Sequence, residues 1–89
     1  MRAIISVVGK DTVGILARVS SLCASCQVNV VDVTQTILQD MFAMVMIVDI
    51  SKMNIPFAEF SEQAAAYGKE ARLVIHVMHE DIFNSMHNI

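Results

Sequence analysis

The chain has 89 residues, 55% of them hydrophobic, and a formal net charge of −3. That length sets one small domain whose core is only just adequate alone, and the surplus of apolar residues implies that a partner covers some of them. The acidic balance excludes nucleic acid as the default partner, no apolar run approaches a membrane span, and no signal-like region precedes the first strand. Two cysteines without a secretion signal indicate reduced thiols in the cytoplasm.

Met1 to Val8 (MRAIISVV) is β-branched and reads as a buried strand. A short polar loop follows, containing Gly9, Lys10, Asp11, Thr12 and Gly14, with Asp11 and Thr12 both candidates for a helix N-cap. Ile15, Leu16, Val19, Leu22, Cys23 and Cys26 then recur at helical spacing and form one apolar stripe, opposite Arg18, Ser20, Ser21 and Ser25. The stretch Val28 to Leu38 (VNVVDVTQTIL) is strand-forming, with Asn29 at its mouth. Its alternation slips at Val30-Val31, which points to a bulge or a change of exposure. Gln39-Asp40 is a hairpin turn without glycine, and Met41 to Ile50 (MFAMVMIVDI) is a third strand, apolar on both faces.

Lys52 to Ile55 is a loop, and Pro56 suits the first turn of a second helix. Phe57, Phe60, Ala64 and Tyr67 form its buried stripe, with Glu59, Glu62 and Gln63 toward water. Gly68 is either its C-terminal cap or a weak point just before one. Arg72 to His79 is a fourth strand, and the tail EDIFNSMHNI is a short amphipathic helix with Ile82, Phe83 and Met86 on one side.

The order β-α-β-β-α-β plus a short helix is an α+β, ferredoxin-like two-layer sandwich spanning residues 1–89 as a single domain. Both helices fall on one face of a four-stranded antiparallel sheet. Phe42, Met44, Met46 and Val48 alternate along the third strand with Ala43, Val45 and Ile47, so the second sheet face is also apolar. It must be covered by a second subunit, by the tail helix, or by both.

Several chemistries are weighed and set aside. Cys23-x-x-Cys26 lies in the last turn of its helix, where the dipole opposes thiolate, and both sulfurs are on the buried stripe. They read as core residues. His76 and His79, three apart on a strand, point to opposite faces and cannot jointly hold a metal, although His87 on the tail could meet one of them. The first loop lacks phosphate-loop spacing, paired cysteines and an arginine, and Phe42 is the sole aromatic of the central strands, so nucleotide, metal-carrier, acylphosphatase and RNA-binding readings fail. No nucleophile–base pair, cofactor motif or metal set emerges, and the chain reads as no enzyme.

The loop remains as a binding feature. N–H groups around residues 12 to 15 can take a carboxylate, with Gly14 allowing close approach. Asp11 can take an ammonium, and Asn29 can read either group from a neighbouring chain. The same residues also fit structural roles: Asp11 as a cap, Gly14 as a packing glycine, Asn29 as a turn residue.

The pattern G-K-D-x-x-G-I-L-A-x-V from Gly9, followed by V-N-V-x-D-x-x-Q from Val28, resembles the ACT domain, a small-molecule-binding regulatory module. The resemblance covers nearly the whole chain. The tail HEDIFNSMHNI is similar to that of a stand-alone bacterial subgroup related to the regulator of the glycine cleavage system. What it implies is an amino acid bound at a homodimer interface, between the first loop of one subunit and the second strand of the other. Asp11, Thr12, Gly14 and Ile15 fall on the loop and Asn29 on the strand. Some amino-acid-binding members have asparagine where this chain has Asp11, whose carboxylate would repel that of a ligand. The resemblance thus implies a small-molecule sensor, dimeric or larger, that acts on a protein partner; the alternative is a ligand-free assembly module.

Overall fold

A computed structural model of the chain describes residues 1–10 and 14–86, and for Leu38 the backbone alone. Seven elements follow in order: β1 (Arg2–Lys10), α1 (Ile15–Ser25), β2 (Asn29–Leu38), β3 (Met41–Asp49), α2 (Phe57–Ala71), β4 (Val74–His79) and α3 (Glu80–Met86). The strands form one sheet in the order β2-β3-β1-β4 with every neighbouring pair antiparallel, which is the expected ferredoxin-like fold with an added C-terminal helix.

Alternation along the strands divides the sheet into two faces. Ala3, Ile5 and Val7 of β1 and Phe42, Met44, Met46 and Val48 of β3 meet Ile15, Val19 and Cys23 of α1 and Phe60 of α2 in one buried cluster. The stripe expected on α1 is therefore its core face, with Leu16 and Leu22 at the margin and Cys26 as the C-cap. On α2, Phe60, Ala64 and Gly68 are buried, while Phe57 and Tyr67 pack at the edges. Arg18 of α1 lays its guanidinium 4.8 Å from the ring centre of Tyr67, joining the two helices over the core.

On the other face Val8 lies between Ala43 and Val74, Ser6 between Val45 and His76, and Ile4 between Ile47 and Met78. Ile4 is buried, at the end of the sheet where α3 packs against β1 and β4 of its own chain. Farther along, Val8, Val45 and Val74 remain exposed, as do Ile82 and Met86 of α3. The tail helix thus covers only part of what the sequence left bare.

Several boundaries differ from the sequence reading. Gly9 and Lys10 belong to β1 rather than to a loop, because they pair with Phe42 and Met41. A Cβ at Gly9 would meet Leu73 Cδ2 at 2.5 Å and the Leu73 Cα at 3.3 Å, so any larger residue requires the Leu73 side chain, just before β4, to move. Pro56 is the N-cap of α2, one position before the helix. Gly68 is interior to α2; the left-handed C-cap is Arg72 (φ 61°), which displaces Arg72 and Leu73 from β4. The slip at Val30-Val31 is a bulge, where the register with β3 shifts between Val30 and Asp32.

Candidate functional site

The N-cap of α1 is Gly14 itself, at φ 86° and ψ 10°, and among the described residues no side chain makes a cap hydrogen bond. This overturns Asp11 and Thr12 as N-caps; both lie outside the described residues. Only glycine takes this left-handed turn without strain, and having no side chain it cannot itself cap the N–H groups of the first turn. Gly14 is exposed and its carbonyl accepts the Arg18 N–H at 2.9 Å. Ile15 is 2% exposed and anchored in the core, so its contribution to a ligand is limited to the backbone.

Asn29 is exposed at the start of β2 and is the register partner of Asp49 at the end of β3. Eleven residues of α1 separate it from Gly14, about 16 Å of helix. One chain therefore does not bring Gly14 and Ile15 together with Asn29. The opposite end of β2 is level with the end of β1: Leu38 pairs with Met41, and Met41 with Lys10.

Around Asn29 the fold builds a cavity of about 220 Å³, lined by Gln27, Asn29, Asp49, Ser51 and Lys52. Gln27 takes a left-handed turn (φ 57°) just after α1 and brings its amide to the mouth of β2. Asp49 Oδ1 accepts the Ser51 N–H at 2.8 Å. Hydrogen bonds from the Ser51 side chain and backbone, aided by the amino group of Met1 and by Lys52, hold the Asp49 carboxyl below its usual range. Of these lining residues the sequence singled out only Asn29, since Asp49, Ser51 and Lys52 come from a stretch about twenty residues further along the chain. A larger cleft of about 430 Å³ lies between α1 and α2, bordered by Arg18, Ser21, Gln63, Tyr67 and Glu70 among others, and touches none of the expected site residues.

The cysteines are core residues. Cys23 is fully buried and Cys26 nearly so, and burial, with Cys26 beside it, pushes the Cys23 thiol up to about 11. His76 pairs with Ser6 and His79 with Ala3, on opposite faces of the sheet as their spacing required, and His87 lies outside the described residues.

A four-stranded antiparallel sheet with two helices on one face, capped by a glycine turn and opened by a polar strand mouth, defines a ferredoxin-like α+β module. Residues 2–77 match the model of the ACT domain, and the chain belongs to the ACT domain family. Along its whole length it is similar to a UPF0237 protein of Listeria monocytogenes, 44% identical over 89 residues and covering all of both chains. Among solved structures it is similar to an ACT domain protein from Streptococcus pneumoniae, with a TM-score of 0.80, 36% identity and 93% of each chain covered. A glycine cleavage system transcriptional repressor shares the fold at TM-score 0.72 and 22% identity, over 85% of this chain and 43% of that one. ACT domains are regulatory modules that typically bind a ligand. Among the described residues no helix is long and apolar enough to cross a membrane.

Proposed function

We propose that this protein is a non-catalytic regulatory module that binds an amino acid or similar small metabolite at a homodimer interface and relays occupancy to a protein partner. The observation that carries the reading is the separation of Gly14 from Asn29 within one chain. β2 is a ten-residue edge strand, rich in β-branched residues, whose outer side has no strand beside it in the described sheet. Such an edge is a template for pairing. Antiparallel pairing of two β2 strands would set Asn29 of one protomer beside the Leu38 end of the other, the end level with Lys10 of β1. On this reading the backbone N–H groups of the first turn after Gly14 and the Asn29 amide of the partner protomer hold the ligand between them.

A thermal-shift screen against the twenty amino acids tests this. A ligand present at a hundred times its dissociation constant adds about 2.7 kcal/mol, which for a domain of this size raises the melting temperature by roughly 10–20 °C. Asn29→Ala should then weaken binding by about 1–3 kcal/mol, the cost of an unpaired polar partner. Asp11→Asn weakens binding if Asp11 receives the ammonium and tightens it if the carboxylate repels. A flat screen returns the function to a ligand-free assembly module, a reading favoured by the exposed Val8, Val45, Val74, Ile82 and Met86.

A further inference from the structure

Gly14, Ile15 and Asn29 carry no charge, and Asp11 lies outside the described residues, so no described residue of the expected site pairs with either charge of an amino acid. We infer that the cavity beside Asn29 is the head-group subsite for a small α-amino acid, in which the Asp49 carboxylate takes the ammonium and Lys52, with the Gln27 and Asn29 amides, takes the carboxylate. The inference rests on the amino-acid reading above and assigns the ammonium to Asp49 in place of Asp11.

Four observations carry it. Asp49 and Asn29 are register partners on adjacent strands, so their side chains leave the sheet on the same face and share one cavity with Lys52. Arg2 is also opposite Asp49, on β1, but its Nε is engaged 2.7 Å from Glu80 Oε2. The amino group of Met1, 4.0 Å from Asp49 Oδ1, is at the limit of ion-pair distance, and among the described residues no ion pair joins Asp49 to Lys52. Both charges thus line the cavity with capacity for a further partner. Ser51 fixes the Asp49 carboxylate by its 2.8 Å N–H bond, so the acceptor is positioned before a ligand arrives. Finally, about 220 Å³ is below the roughly 300–1,000 Å³ of sites for drug-sized ligands. That volume takes a single amino acid, and a lining with no apolar side chain favours a small or hydroxyl-bearing one, from glycine to threonine.

The test is calorimetry on the full chain with glycine, L-alanine, L-serine and L-threonine, the first three paired with glycolate, L-lactate and L-glycerate, which replace the ammonium by a hydroxyl. The parent protein should bind at least one of the four and prefer the amino acid over its hydroxy acid by at least tenfold. Asp49→Asn keeps an acceptor for the Ser51 N–H and removes only the charge. It should weaken the amino acid about tenfold or more and erase the preference, whereas mere loss of structure would weaken both partners of a pair alike. Lys52→Met should weaken amino acid and hydroxy acid together. If Asn29→Ala weakens binding while Asp49→Asn changes it less than twofold, or if a larger amino acid is the one that binds, the subsite is wrong and the interface reading stands. If none of the twenty amino acids binds, both fall.

Discussion

The ring of His79, the last residue of β4, stacks on that of Phe57, the first residue of α2, with centroids 4.2 Å apart and planes 18° from parallel. The pair ties the entry of one helix to the exit of an edge strand, just before the chain turns into α3. Offset aromatic pairs contribute about 0.5–1.5 kcal/mol beyond the area they bury. A double-mutant cycle of Phe57→Leu and His79→Ala should show coupling of that size in chemical denaturation. Additive effects would reduce the stack to simple proximity.

Two glycines should respond to alanine for different reasons. At Gly14 an added Cβ meets nothing within 4 Å, but φ is 86°, so Gly14→Ala should cost about 1–2 kcal/mol through backbone strain alone. At Gly68 the added carbon would stand 2.9 Å from the Leu73 carbonyl oxygen and 3.1 Å from Ile75 Cγ1, inside the α2–β4 packing. Gly68→Ala should cost about 1–3 kcal/mol through overpacking. Urea melts distinguish them: the Gly14 variant should retain native packing by near-ultraviolet or NMR criteria, and the Gly68 variant should shift signals around Ile75.

Cys23 should be inert to thiol reagents in the native protein at neutral pH, and its modification rate should follow global unfolding. The unfolded thiol ionises near 9.0 and the folded one near 11. Since the folded state holds its proton longer, this group leaves stability unchanged below about pH 9 and lowers it as pH rises toward 11. Denaturation midpoints across that range, compared with Cys23→Ala, isolate the contribution. Rapid labelling at pH 7 would contradict the burial.

Assembly through β2 predicts a species of twice the 9.8 kDa chain mass at micromolar concentration. Val31 and Ile37 are 50% and 57% exposed on that strand, so charging them leaves the core intact. The variant Val31→Lys/Ile37→Lys should be a folded monomer by sedimentation, because lysine on an edge opposes strand pairing. A variant that stays dimeric would move the interface to the face carrying Val8, Val45 and Val74.

Most of the fold was legible because period-2 and period-3.6 patterns are strong here: the α1 stripe, the β3 alternation and even the bulge after Val30 can be read from residue order. What was not legible depends on register between distant segments. Nothing near Gly9 says that the strand continues until Lys10 meets Met41, and nothing near Gly68 says that the helix runs three residues further to a non-glycine cap. The site shows the same division. Gly14 and Asn29 are visible as a turn glycine and a strand-mouth amide, whereas Asp49 and Lys52 become neighbours of Asn29 only once β2 and β3 have paired.

β1 sits between β3 and β4, so Ala3 faces Val48 on one side and His79 on the other. β1 therefore waits for β3 before one of its edges is paired, and for nearly the whole chain before β4 pairs with the other. Until then its Ile4, Ile5 and Val7 have no sheet to enter, and the nascent chain is exposed to miscontacts during synthesis. Closure of the sheet is accordingly a late, non-local event, and folding should be slow for so short a chain. A permuted chain that begins at the Gln39-Asp40 hairpin, with β4 and α3 linked to Met1, would supply β3, β4 and β1 in succession and should fold faster to the same structure.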